Sequence, residues 1–81
     1  MKYKIDWEEK ALNSLNKLDL LLARRIITKI DKLKENPFYQ NVKRLKNSSC
    51  FRLRIGDYRI LFEIQKNVIK ILKLGHRKNV Y

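Results

Sequence analysis

Between residues 51 and 64 the inward-reading apolar residues fall on every second position, and the run is broken once, by Gly56-Asp57. A period of two belongs to a strand with one buried face. A two-residue break with Gly first belongs to a tight hairpin turn. Together they predict a register: Ile55 pairs with Tyr58, Leu53 with Ile60 and Phe51 with Phe62, so one face is wholly apolar. A slip of one residue would turn all of these side chains outward, so pattern and turn support each other.

The same register sets the opposite face. Arg54 lies directly across from Arg59, and Arg52 across from Leu61. Like charges placed opposite each other destabilise a sheet. An anion held between them relieves the repulsion, and the guanidinium fork suits phosphate. The alternative is that both side chains splay into water, where screening makes the cost small. Charge over the whole chain points the same way. Twenty Lys and Arg against eight Asp and Glu give a net charge of +12, which attracts polyanions over long range. Nucleic acid comes first among these, then anionic membrane or an acidic protein.

The rest of the chain supplies what the apolar face packs against. Tyr3 and Ile5 alternate with polar neighbours and predict a short first strand. Asp6 and Glu9 have capping-box spacing, and Trp7, Ala11, Leu15 and Leu18 form a helical stripe. Asp19 reads as a break or a second N-cap. Leu22, Ile26, Ile30 and Leu33 then form the stripe of a second helix, stopped by Asn36-Pro37. Residues 38–49 are a connection carrying Lys43, Arg44 and Lys46, and a last strand covers 68–74 after a Lys66-Asn67 turn. If that turn is also two residues long, Glu63 faces Lys70 in a surface ion pair, and Lys73 falls on the helix-facing side. The expected architecture is α+β in the order β-α-α-β-β-β. An antiparallel sheet carries an N-terminal helical hairpin on one face, within a single domain spanning 1–81.

Several chemistries find no support. Cys50 and His76 are the only residues of their types, too few to close a tetrahedral metal shell, and no carboxylate cluster suggests a metal-dependent nuclease. Neither a metal nor another cofactor is expected. Residues 1–6 lack the apolar stretch of a signal peptide, and no segment is long enough to span a bilayer, so a cytoplasmic protein without membrane attachment is expected.

The residues reached so far carry a family resemblance. Phe51-Arg52-Leu53-Arg54-Ile55-Gly56-Asp57-Tyr58-Arg59-Ile60-Leu61-Phe62 resembles the central hairpin of the RelE/ParE toxins. Gly75-His76-Arg77-Lys78-Asn79-Val80-Tyr81 resembles their closing motif. Asn36-Pro37 followed by Lys43-Arg44-Leu45 is similar to the family's helix-to-sheet connection, and Trp7, Ala11, Leu15 and Leu18 fit its first helix. The RelE branch implies a toxin that cleaves messenger RNA in the ribosomal A site without a metal and is neutralised by an acidic RelB-like antitoxin. By position, the resemblance implies catalytic roles for Arg54, Arg59, Arg77 and Tyr81. Arg59 would be the phosphate-stabilising arginine, Arg77 would act near the leaving group, and Tyr81 would be the catalytic tyrosine. Arg52, Lys43, Arg44, Lys46 and His76 join them as RNA contacts. Two departures stand out. Arg54 replaces a lysine proposed as general base, and arginine is a poor base. The family's C-terminal helix after the tyrosine is missing, since the sequence stops at Tyr81. The base therefore stays open among Tyr81, His76 and Arg54. The competing expectations are a ParE-like toxin that poisons DNA gyrase without cutting RNA, a basic binding module without catalysis, and a degenerate toxin.

Overall fold

The computed structural model describes residues 2–39 and 41–80. Its centre is the hairpin formed by the alternating run: β3 (Phe51–Ile55) and β4 (Tyr58–Gln65) in a five-stranded sheet. The pairs are those expected, with Phe51 opposite Phe62, Leu53 opposite Ile60 and Ile55 opposite Tyr58. Arg54 faces Arg59 and Arg52 faces Leu61. Around this hairpin stand β1 (Lys4–Trp7), β2 (Val42–Arg44) and β5 (Val68–His76), in the spatial order β1-β5-β4-β3-β2. Helices α1 (Glu9–Asn16) and α2 (Leu20–Asp31) cover one face, and a 3-10 turn, Lys32–Lys34, continues α2.

The core lies between that face and the helices. Leu53, Ile60, Phe62, Ile69, Ile71 and Leu74 come from the sheet, and Ala11, Leu15, Ile26, Ile30 and Leu33 from the helical layer. Each buried Leu, Ile or Phe contributes about 1.5–3 kcal/mol relative to exposure. The break between the helices is sharp because Asp19 is an N-cap: its side chain accepts a hydrogen bond from the Leu22 amide at 3.0 Å.

The structure departs from the sequence reading in five places. The sheet has an extra strand, β2, inside what reads as a connection. Val42 supplies its single core-facing contact, paired with Leu53. The sheet is antiparallel except at β1, which runs parallel to β5. Asp6 and Glu9 form no capping box. The strand continues through Trp7, Glu8 takes the N-cap position, and no side chain caps α1. A bulge between the Leu61 and Phe62 rows shifts β5, so Phe62 pairs with Ile71 but Leu61 with Lys73 and Ile60 with Leu74. The extra residue, Leu72, moves Lys73 to the open face and lets Leu74 drop into the core. Finally, Lys70 faces Glu63 across the strands, but its ammonium pairs with Glu8 at 2.9 Å. Glu63 accepts from the Ser49 hydroxyl instead.

The helix cap and the core rank differently in stability. Asp19→Ala removes one cap worth about 1 kcal/mol, expected to lower Tm by roughly 4–8 °C in a domain this small. Leu53→Ala, at a fully buried position, costs about 2–5 kcal/mol. It should push the chain close to unfolding by thermal denaturation followed by circular dichroism.

Candidate functional site

The face turned away from the helices carries the charge. Row by row, Lys43 of β2 faces Arg52 of β3, Arg52 faces Leu61 of β4, and Leu61 faces Lys73 of β5. The next row towards the hairpin turn holds Arg54, Arg59 and Gly75. Two cross-strand pairs of like charge therefore stand side by side. With neighbouring strands about 4.8 Å apart, the Lys43-to-Lys73 row spans about 14 Å. Leu61 is only 9% exposed although it lies on the open face. It stands between Arg52, whose Nε is buried, and the exposed Lys73, and the stems of both cover apolar surface.

At the turn itself three more interactions gather. Gly56 adopts φ +56, the left-handed conformation that favours glycine. Its carbonyl oxygen accepts from Arg59 Nη1 at 2.9 Å, and the same nitrogen donates to the Tyr58 carbonyl at 3.0 Å. These bonds draw one edge of the Arg59 guanidinium towards the turn and offset part of the repulsion from Arg54. The remaining N–H groups of Arg59 make no hydrogen bond among the described residues. Arg77 reaches the turn from the tail: its amide donates to the Asp57 carbonyl at 2.8 Å, and its Nε lies 3.8 Å from the Asp57 carboxylate. Arg25 arrives from α2. A Cβ added at Gly56 would stand 3.6 Å from its Nη2 and 3.7 Å from its Nη1. Glycine thus leaves room for a guanidinium from the helical layer.

The structure brings Arg52, Arg54, Arg59, Arg77 and Lys43 to this face and its turn. It separates others. Arg44 and Lys46 sit at the opposite end of β3, where Arg44 Nε donates to the Ser48 carbonyl at 3.2 Å. His76 pairs with Tyr58 on the helix-facing side, its ring edge-on to the tyrosine at 5.6 Å. Its Nδ1 accepts from the Lys78 amide at 3.2 Å. Tyr81 lies outside the described residues. The sequence reading missed Arg25, which lies off the apolar stripe of the second helix, and assigned Lys73 to the wrong face. Consecutive apolar residues at Ile71 and Leu72 are the one sign in the sequence that the alternation slips before Lys73.

Acidic side chains occupy the far end of the same face. Glu8 by hydrogen bond and charge, then Asp6 and Glu63 by charge, raise the pKa of Lys70 above the usual lysine value. A raised lysine pKa means that the ion pair's support is present at neutral pH and fades only as pH climbs through that higher value. The open face is therefore polar in a second sense, cationic near the Gly56-Asp57 turn and acidic towards β1. Among the described residues, no three of His, Cys, Asp or Glu are grouped as metal ligands.

Two helices on one face of a β1-β5-β4-β3-β2 sheet, with arginines on the other, define a toxin of the RelE/ParE superfamily. Residues 5–81 match the family described as "ParE toxin of type II toxin-antitoxin system, parDE", and the chain belongs to that family. A RelE-like toxin protein of Escherichia coli is 24% identical over 82 residues, covering 96% of this chain and 86% of the relative. Among solved structures, a chain of the archaeal RelE–RelB complex from Pyrococcus horikoshii is 29% identical. It superposes with a TM-score of 0.84, covering 98% of this chain and 99% of that one. A chain of the RelBE2 toxin–antitoxin complex from Mycobacterium tuberculosis shares the fold at 24% identity and a TM-score of 0.81, covering 95% of this chain and 100% of that one. No helix of the structure is long and apolar enough to cross a membrane.

Asp57 is the carboxylate set among these arginines, so Asp57→Asn should tighten binding of a single-stranded oligonucleotide at low salt. The gap from the parent protein should close as salt approaches 1 M, where screening acts within about 3 Å. Fluorescence polarisation across a salt series reads both effects.

Proposed function

We propose that this toxin is a RelE-type endoribonuclease that cuts messenger RNA in the ribosomal A site, using the RNA's own 2′-hydroxyl as nucleophile. The observation that carries this reading is the convergence of Arg25, Arg54, Arg59 and Arg77 on one hairpin turn. Cleavage requires the 2′-oxygen to attack phosphorus, an anionic phosphorane to be stabilised, and the 5′-oxygen to leave with a proton. The product strand then carries a 2′,3′-cyclic phosphate. Preorganised donors aimed at the developing charge commonly supply about 10²–10³ each. Arg59, already oriented by two carbonyls, and Arg54 opposite it stabilise the phosphorane. Arg77 serves the leaving oxygen. Arg52, Lys43 and Lys73 hold neighbouring phosphates.

Of the three bases left open by the sequence, arginine stays protonated, which removes Arg54. His76 has its Nδ1 engaged and lies on the other side of the sheet. Tyr81 is left as the group that moves the proton. The chemistry needs no metal or other cofactor.

A second reading is favoured by the description of the matching family, ParE: a gyrase poison that leaves RNA intact. Induced expression with primer-extension mapping of message ends separates the two. In-frame cuts on translated messages are expected. Intact messages with a DNA-damage response would put the gyrase reading ahead. Arg59→Ala should abolish cutting and toxicity in a folded protein, and Tyr81→Phe should lower the cleavage rate with RNA affinity nearly unchanged.

The partner of this toxin is an acidic, RelB-like antitoxin whose amphipathic helix lies along α1 and α2. A groove of about 330 Å³ runs between these helices beside β1, lined by Ile5, Trp7, Leu12, Leu15, Ile27 and Ile30. Leu18, Leu20 and Ala23 extend its apolar surface past Leu15 and Ile27, Leu20 being 64% exposed. Cytoplasmic action follows from such a substrate. Ile27→Asp, at a position 41% exposed, should spare the fold and toxicity. It should also abolish neutralisation when the antitoxin is co-expressed, a loss visible as restored growth arrest.

A further inference from the structure

Strand β1 covers only part of β5. Its pairing ends with Trp7 opposite Ile71, and the Glu8 amide closes the edge on the Ile71 carbonyl at 2.9 Å. From Lys73 onwards the edge of β5 away from β4 has no strand partner among the described residues, and α1 lies near it. The tail then turns back, with the amides of Asn79 and Val80 both donating to the His76 carbonyl. Val80 is buried against Gly75, its Cβ 3.5 Å from the place a side chain at Gly75 would take. Between α1, the edge of β5 and this returning tail lies a cavity of about 280 Å³.

Its lining is mixed in a particular way. Lys10 and Ser14 come from α1, Lys73 from β5 and Asn79 from the tail, while Leu74, Gly75 and Val80 form an apolar floor. Among the described residues neither Lys10 nor Lys73 has an ion-pair partner, and the Asn79 side-chain amide is likewise uncommitted. Two lysines line the cavity with no acidic side chain among the described residues that line it, and such a lining favours an anion. Val80, 4% exposed, packs over Gly75 and with Leu74 closes the bottom of the cavity, and an amide supplies both donor and acceptor for a heterocycle edge. The position matters as much as the lining. Lys73 ends the Lys43–Arg52–Leu61 row, and Gly75 ends the Arg54–Arg59 row. A phosphate chain laid across the arginines towards β5 therefore runs into this cavity.

We infer that the cavity between α1, β5 and the tail is a subsite for one ribonucleotide, the neighbour of the nucleotide held at Arg54 and Arg59. Its phosphate sits between Lys10 and Lys73, and its base lies over the apolar floor with its edge read by Asn79. The identity of that ribonucleotide as part of a substrate strand rests on the nuclease reading. Occupancy of the cavity by a nucleotide does not.

The test is an amide NMR titration of the full chain with adenosine 5′-monophosphate, with adenosine and inorganic phosphate as separate arms. The expected result is a saturable shift at Ser14, Gly75 and Asn79. Lys10→Ala combined with Lys73→Ala should weaken it about tenfold or more, and Arg59→Ala should leave it within about twofold. Lys10→Ala alone, at an exposed position on α1, serves where the double variant loses spectral dispersion. Shifts confined to the Arg54–Arg59 hairpin, or an affinity unchanged by the lysine variants, would overturn the subsite. Equal shifts at all lysines with phosphate alone would do the same. Binding at the cavity by a protein that leaves messages intact would uphold the subsite and remove the nuclease reading. Message cutting without binding there would do the reverse.

Discussion

Everything on the open face follows from one forced neighbourhood, two guanidinium groups set opposite each other by a two-residue turn. Arg54 and Arg59 cannot be separated without slipping the hairpin, and slipping the hairpin would expose Phe51, Leu53, Ile60 and Phe62. The hydrophobic core on one side thus holds a repulsive arrangement in place on the other. The protein eases that repulsion with what is at hand, two backbone carbonyls for Arg59 and one carboxylate for Arg77. Part of each cation's hydrogen-bonding capacity remains unspent. A rigid array of incompletely satisfied donors is what electrostatic catalysis on a phosphate requires.

How much of this could be read beforehand depended on how strongly each element was specified. The hairpin was legible because turn chemistry and alternation gave the same register independently. The second helix was legible through its cap at Asp19 and its stripe of Leu22, Ile26, Ile30 and Leu33. Strand β2 escaped because three residues, two of them Lys43 and Arg44, contain no alternation to see, and their pairing is dictated by β3. The parallel partnership of β1 with β5 escaped because strand direction depends on tertiary packing, which a four-residue pattern does not encode.

The candidate site shows the same division. Arg52, Arg54 and Arg59 were placed by register alone. Lys73 was misplaced by a single bulged residue, since with a period of two any insertion inverts every position beyond it. Arg25 could not be found by periodicity at all. Its guanidinium lies beside the turn because α2 passes over a turn whose residue is glycine, a juxtaposition of elements about thirty residues apart. His76 reads as part of the cationic cluster from its neighbours in sequence, yet alternation along β5 assigns it to Tyr58 and the other side of the sheet.

The position of β5 bears on the order in which the molecule comes into being. It is the last of the five strands in the chain, yet it stands between β1 and β4 in the sheet. While the polypeptide is being made, the first strand has nothing to pair with, and the loop that Arg77 fastens to Asp57 is still open. The sheet therefore closes only once β5 has been made. The two cationic rows thus gain their β5 members, Lys73 and Gly75, after every other strand has been synthesised.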